Sequence, residues 1–210
     1  MTFRHPTEID SALSALKADL LAEQGPQIST VRNYNFAILP YPPDQEFPLR
    51  RAIDELSHQL RDSGWNTDTV DLHKLLLRRL RRESPDFLES LIVREKALAN
   101  AADGTRRLRM LKEKLANILD TPEGLAADVV VVIEEILSRA EEASRSVIFL
   151  GRLGALYPFM RTSALLKHVA GKTHNAPVVL LYPGRVVGET GLSFMGVLAA
   201  DRDYRPRIYR

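Results

Sequence analysis

Two acidic and three basic side chains that follow predicted strands are the residues best placed to bind a charged ligand. Asp44 and Glu46 follow the first predicted strand, Arg152 and Arg161 follow the third, and Arg185 follows the fourth. A guanidinium group binds carboxylates and phosphates through several N–H donors at once. Because ligands collect at the carboxyl ends of parallel strands, we expect a site there for an anion or a partner protein. The candidate positions are Asp44, Glu46, Arg152, Tyr157, Arg161, Gly184 and Arg185.

Arg152 and Arg161 are predicted to form a pair at the head of a helix that begins near Pro158. The first N–H groups of a helix lack intrahelical partners, and two guanidinium groups held close together need an anion between them. That anion is either a carboxylate of the protein, from Asp44 or Glu46, or one that a ligand or partner supplies. The alternative is that the glycines and prolines here only make tight turns and that the charges are solvated.

Motifs that indicate catalysis are missing from the sequence. It has no G-x-x-x-x-G-K-[ST] phosphate loop and no G-x-S-x-G nucleophile turn. It has no cysteine, and its five histidines are scattered without metal-ligand spacing. We therefore expect a protein that is not an enzyme, with no catalytic residue, no metal site and no cofactor.

Two basic clusters lie in a helical part of the chain. On their helices the arginines interrupt leucines at core spacing, which favours a solvated face with arginine stems over apolar surface. Contact with a partner protein or with the phosphates of DNA is the other interpretation. The clustered arginines are Arg78, Arg79, Arg81 and Arg82, followed by Arg106, Arg107 and Arg109.

The elements that position these side chains follow from the apolar runs. Residues 147–150 and 178–182 are continuous apolar runs, typical of strands buried on both faces, and residues between them show helical spacing. The second run is closed by Pro183 and Gly184, which predicts a turn. An earlier strand at 34–39, a helix that stops at Gly64 and a strand at 67–72 make a similar unit, and a helix capped by Thr7 precedes them.

Residues 73–145 show a helical pattern throughout, far more than one crossover needs. Ile92 and Leu108 belong to apolar stripes of two of these helices, and the valine-rich run after Thr121 and Pro122 is interpreted as a buried helix rather than a strand. We predict a single domain, 1–210, with a helical insertion at about 74–120. Its fold class is three-layer α/β, with a mostly parallel sheet of four to five strands in a P-loop-like or Rossmann-like arrangement without a phosphate loop.

Composition narrows the functional classes further. Lysine plus arginine number 29 against 27 acidic residues, so any nucleic-acid contact must rest on a local patch. The hydrophobic fraction of 45% allows a full core. We find neither an apolar stretch long enough to span a bilayer nor a signal-peptide pattern, so we expect a cytoplasmic protein without membrane contact.

Five motifs in order resemble a known family. They are FAILPYPPDQEFPLRRAI, SVIFLGRLGALYPFMRTSALL, APVVLLYPG, LSFMG and YRPRIY. Their sequence and order closely resemble the BrxB proteins of bacteriophage exclusion (BREX) systems. The resemblance implies a non-enzymatic assembly or regulatory component of a phage-defence complex, with the PglZ protein as the expected partner. A nucleotide- or DNA-binding switch subunit of the same system is the alternative.

Overall fold

A computed structural model describes residues 7–28, 35–99, 104–188, 191–200 and 206–210, with side chains except those of residues 98, 99 and 104–107. The helices of these ranges are α1 (Glu8–Leu20), α2 (Glu46–Asp62), α3 (Leu72–Leu80), α4 (Pro85–Ala99), α5 (Gly104–Leu119), α6 (Leu125–Leu137) and α7 (Thr162–Val169). The strands are β1 (Phe36–Tyr41), β2 (Asn66–Asp71), β3 (Ser146–Gly151), β4 (Val178–Val187), β5 (Gly191–Phe194) and β6 (Arg207–Ile208).

The strands form one mostly parallel sheet in the order β2-β3-β4-β1-β6, and β5 pairs antiparallel with β4. From β1 the chain crosses through α2 to the edge strand β2, then returns through β3 to β4. Because crossovers between parallel strands are right-handed, this reversal of direction places α2 on one face and the later helices on the other. The predicted three-layer α/β class is confirmed, and the described residues form six strands where four to five were predicted.

Alternate side chains of β1 point into two separate cores. Ala37 and Leu39 pack with α1 and α2, whereas Phe36 and Ile38 pack with α3, α6 and α7. Strand β3, which β4 separates from β1 in the sheet, is buried along its whole length. A strand covered on both faces has no reason to alternate with polar residues, which explains its continuous apolar sequence.

The part of the chain that connects β2 to β3 contains four described helices, α3 to α6. The valine-rich segment is helical, as predicted, because Leu125, Val129 and Ile133 recur every four residues and are all buried. The helix begins at Leu125 with Gly124 as its N-cap, a few residues after the predicted start. The single domain with an insertion at about 74–120 stays a prediction.

The turn predicted at Pro183 and Gly184 is wrong. The strand β4 continues to Val187 and forms a hairpin with β5, in which Gly184 lies opposite Phe194. The N–H of Met195 donates to the carbonyl of Pro183 at 2.8 Å. Pro183 is the last residue of β4 in the parallel pairing with β1, opposite Tyr41. It has no N–H to donate, but its carbonyl accepts in the hairpin with β5.

The predicted start of a helix near Pro158 is also wrong. Residues 153–156 form a 3-10 turn, and Tyr157 is extended, with φ −74° and ψ 135°. The ring of a proline disfavours the helical conformation in the residue before it, which explains why no helix runs through Tyr157. The helix α7 begins at Thr162 instead, and Arg161 is its N-cap residue.

Candidate functional site

Arg152, Glu46 and Tyr41 meet at the carboxyl edge of the sheet. Tyr41 ends β1, Glu46 begins α2, and Arg152 directly follows β3. The hydroxyl of Tyr41 donates to Oε2 of Glu46, and Nη1 of Arg152 lies 3.9 Å from Oε1 of the same carboxylate. The internal counter-ion that the sequence allowed for Arg152 is therefore Glu46.

Arg152 has a left-handed backbone conformation, with φ 63°. A residue with a Cβ reaches this conformation at a cost in free energy, so the surrounding structure must hold it there. Its neighbour Gly151 ends β3, and the left-handed step turns the chain out of the strand into the 3-10 turn. The ion pair with Glu46 is one contact that holds this turn.

Burial and hydrogen bonding keep the hydroxyl of Tyr41 protonated. Burial raises the pKa of Tyr41 far above its usual range, the hydrogen bond to Glu46 and the negative charge of that carboxylate raise it further, and the positive charge of Arg152 lowers it. The raised pKa favours the neutral phenol at every physiological pH. Tyr41 therefore acts as a donor to Glu46 and not as a proton acceptor.

A cavity of about 230 Å³ beside this group contains acidic and basic side chains in equal number. Opposite charges facing one another in one cavity neutralise its field, so it does not select an anion. This balance favours a structural role for the edge at Arg152. Its charged lining consists of Glu46, Asp54 and Asp71 with Arg50, Lys74 and Arg152.

We expect Glu46→Ala to lower the free energy of unfolding by about 2 kcal/mol and Arg152→Ala by about 1 kcal/mol. Glu46 is the partner of both side chains. Its removal therefore leaves the buried hydroxyl of Tyr41 without an acceptor and Arg152 without its counter-ion. The side chains of Arg152 and Glu46 are 35% and 22% exposed to solvent. This partial exposure limits the free-energy cost of breaking the ion pair. Urea-induced unfolding of the two variants measures both values.

The double variant Glu46→Ala/Arg152→Ala is the informative comparison, because partners in one contact give less than additive losses. Asp44→Ala serves as the control, since Asp44 is exposed in the same turn. Strictly additive losses would show that the two side chains do not interact.

Arg161 lines a different cavity from Arg152. This second cavity, of about 320 Å³, lies at the start of α7 and is closed by residues of β5 and of the segment that follows it. The expected pair of Arg152 and Arg161 at one anion site is therefore not formed. The shift of the helix start to Thr162 accounts for this, because it makes Arg161 the N-cap residue instead of a residue one turn inside.

The remaining candidates at this edge are dispersed. Gly184 and Arg185 line a third cavity of about 470 Å³, together with Tyr41. The ring of Tyr157 packs on Phe194 with 5.8 Å between centroids, so it has a core contact. Asp44 is exposed and lines none of the three cavities.

The first basic cluster divides into paired and free arginines. Arg79 and Arg82 both reach the carboxylate of Asp128 on α6, at 3.4 Å and 2.8 Å. Arg78 and Arg81 are exposed, and no ion pair holds either of them among the described residues. Asp128 was not recognised from the sequence, because it lies more than 40 residues away from its partners.

The second basic cluster lies on α5. Arg109 is exposed, whereas the side chains of Arg106 and Arg107 lie outside the described part of the structure. The helices α4 and α5 pack on each other. Arg109 is therefore a further exposed basic side chain on this pair of helices.

Exposed apolar side chains accompany the free arginines. Ile92 and Val93 on α4 are 53% and 58% exposed to solvent, and Leu108 on α5 is 44% exposed. The sequence had placed Ile92 and Leu108 in core-facing stripes, which is wrong for both. Leu77 on α3 and Val131 on α6 are also exposed. We call the exposed side chains of the predicted insertion the insertion surface, namely Leu77, Arg78, Arg81, Ile92, Val93, Leu108 and Arg109.

Within the described ranges, no group of three or more His, Asp or Glu side chains is arranged to hold a metal ion. No described helix combines the length and the apolar character needed to cross a bilayer.

Comparison with known proteins identifies one family and one relative. The family model described as "BREX protein BrxB" matches residues 68–208. A protein of Bacillus cereus (strain H3081.97) named "BREX protein BrxB" is 23% identical over 171 residues, which cover 81% of this chain and 80% of the relative. No solved structure matches the chain significantly.

Proposed function

Because the chain belongs to the BrxB family of BREX defence systems, we propose that it is a cytoplasmic, non-enzymatic assembly or regulatory component that binds another protein of its system. The PglZ protein is the partner that we propose. The partner would contact the insertion surface, which is built by helices that the α/β core does not need for its crossover.

The observation that supports a protein partner is the combination of apolar and basic side chains on this surface. Ile92 and Val93 are more than half exposed, although apolar side chains of this size are normally buried in a core. Protein interfaces are enriched in arginine, and their centres are depleted of other charged residues. Arg78 and Arg81 have no ion pair among the described residues, so both remain available to acidic groups of a partner.

A non-catalytic role agrees with the way the charged groups at the sheet edge are used. Glu46 accepts from Tyr41 and faces Arg152, so its carboxylate is already engaged. The sequence adds the absence of a phosphate loop, which argues against hydrolysis of nucleoside triphosphates.

Co-expression with the other BREX proteins tests the proposal directly. We expect the affinity-tagged chain to retain PglZ through size-exclusion chromatography, and we expect the isolated chain to show no ATP or GTP turnover above background. Purification of the chain without any BREX protein, at every salt concentration tried, would contradict the assembly role. A turnover rate of about 1 per second would contradict the non-enzymatic role.

DNA binding is the alternative that the free Arg78, Arg81 and Arg109 favour. Binding through phosphates weakens steeply as salt rises, and the slope reports the number of phosphates neutralised. A fluorescence-anisotropy titration with duplex DNA at several salt concentrations separates the two roles. Tight, salt-dependent duplex binding without retention of a BREX protein would favour the alternative.

A further inference from the structure

The cavity at the start of α7 has a polar end and an apolar end. Arg161 and Thr162 form the polar end, where the helix begins. Leu192 and Phe194 of β5, with Leu198, form the apolar end. A cavity of about 320 Å³ is at the lower limit of small-molecule sites. Its size therefore suits a compact ligand or the terminal group of a longer one.

The polar end supplies hydrogen-bond donors. The first intrahelical bond of α7 runs from the N–H of Leu165 to the carbonyl of Arg161 at 3.3 Å, so the preceding N–H groups have no acceptor within the helix. No side chain caps the helix, and its first turn contains no acidic residue. Arg161 is exposed and makes no ion pair with any described residue. Donors without a counter-charge favour an anion at this end.

Thr162 gives an independent indication of a ligand. Its side chain is 3% exposed, yet its Oγ1 has no hydrogen-bond partner in the structure. No other side-chain nitrogen or oxygen of the described residues is both buried and without a partner. A buried hydroxyl without a partner lowers stability, and such groups are rare unless a ligand or water completes them. Because Thr162 lines the cavity, a ligand oxygen there is a suitable partner.

The number of donors selects the type of anion. Guanidinium, hydroxyl and backbone N–H groups are three separate sources of hydrogen bonds, and the two oxygens of a carboxylate accept them in a single plane. A phosphate monoester offers three strong acceptor oxygens. The opposite end adds an aromatic wall formed by the ring of Phe194, which packs on the fully buried ring of Tyr182 with 5.4 Å between centroids. A flat ring on the ester packs well on such a wall.

We propose that this cavity binds a phosphate monoester carried on a single compact ring system, with the phosphate at Arg161 and Thr162 and the ring against Phe194. The ligand has two sources, a free small molecule or the 5′-phosphate end of a nucleic-acid strand. The proposal does not depend on the assembly role, because it concerns a different part of the surface.

Isothermal titration calorimetry of the full chain with phenyl phosphate tests the proposal. We expect phenyl phosphate to bind at least about tenfold more tightly than either inorganic phosphate or phenol, since each of these fills one end only. Arg161→Gln should weaken binding about tenfold. Arg185→Gln is the matched control, since Arg185 is exposed beside another cavity, and it should leave binding unchanged.

Thr162→Val tests the buried hydroxyl without removing its volume. We expect weaker binding of phenyl phosphate and an unchanged or higher melting temperature, because the substitution removes a polar group that has no partner. If Thr162→Val binds phenyl phosphate as tightly as the unchanged protein, the hydroxyl does not contact the ligand. That result would contradict the assignment of Thr162 to the site.

Competition by short oligonucleotides distinguishes the two sources. Displacement of phenyl phosphate by a 5′-phosphorylated strand, and not by the unphosphorylated strand, supports the strand end. Displacement by a mononucleotide alone supports the free small molecule. No binding of phenyl phosphate at about 1 mM, or binding unchanged in Arg161→Gln, overturns the proposal.

Discussion

Gly184→Ala is expected to lower the free energy of unfolding by about 3 kcal/mol, because the hairpin of β4 and β5 leaves no room for a side chain there. A Cβ at this position would lie 2.2 Å from the carbonyl oxygen of Ser193 and 2.6 Å from the ring of Tyr182. Neither can move away easily, since Ser193 lies in the strand ladder and Tyr182 is fully buried. Thermal or urea unfolding measures the loss.

Gly151→Ala is the matched control for this substitution. Gly151 also lies in a strand of the same sheet, but a Cβ there would meet Thr69 at 3.5 Å and Leu181 at 3.8 Å, both ordinary contacts. We expect a change within about 1 kcal/mol. Equal effects of the two substitutions would show that the hairpin has the freedom to adjust, and would make the close approach at Gly184 unimportant.

The core of this fold was predictable because its physical signal is local. Strand β3 is apolar from Val147 to Leu150 and β4 from Val178 to Leu181, and covering on both faces favours apolar side chains there. The helix α1 was predictable for a similar reason, since Thr7 both caps it and accepts from the N–H of Asp10.

The hairpin was not predictable from the same signals. Strand β5 has only four residues, and its partner segment in β4 contains Pro183 and Gly184, which on their own indicate a turn. The pairing becomes evident only from long-range contacts such as that of Met195 with Pro183. This omission also concealed the cavity at Arg161, because Leu192 and Phe194 of β5 form its apolar end.

The candidate site was predictable in its residue types but not in its grouping. Arg152 and Arg161 both follow β3, as the sequence indicates, yet they line separate cavities. Two backbone details separate them, namely the left-handed conformation of Arg152 and the turn at residues 157–160 before α7. No sequence pattern predicts either detail, and arginine in particular rarely adopts a positive φ.

The ion pairs between the first arginine cluster and α6 could not be predicted from the sequence, for a different reason. A run of four arginines within five positions is interpreted as one face, although only half of them are free in the structure. Asp128 engages Arg79 and Arg82 from another helix. The distinction matters for experiments, because substitutions at the engaged pair also change stability.

Arg78→Glu/Arg81→Glu is expected to weaken the association of this chain with PglZ, the partner that we propose, by about tenfold or more. Both side chains are exposed and free of ion pairs among the described residues, so the substitutions convert an attraction for acidic groups into a repulsion. The loss should be larger at low salt than at high salt, because exposed charges are screened. Surface plasmon resonance with immobilised PglZ at two salt concentrations measures it.

Arg51→Glu/Lys172→Glu provides the matched control, with the same change in charge at exposed positions outside the insertion surface. Arg79 and Arg82 are left intact in both variants so that the contact with Asp128 survives. Arg81 caps the C-terminal end of α3, where a negative charge is unfavourable by about 0.3–1 kcal/mol, so melting temperatures must accompany the binding data. If the two double variants weaken the association equally, the effect arises from net charge alone and the insertion surface is not the contact.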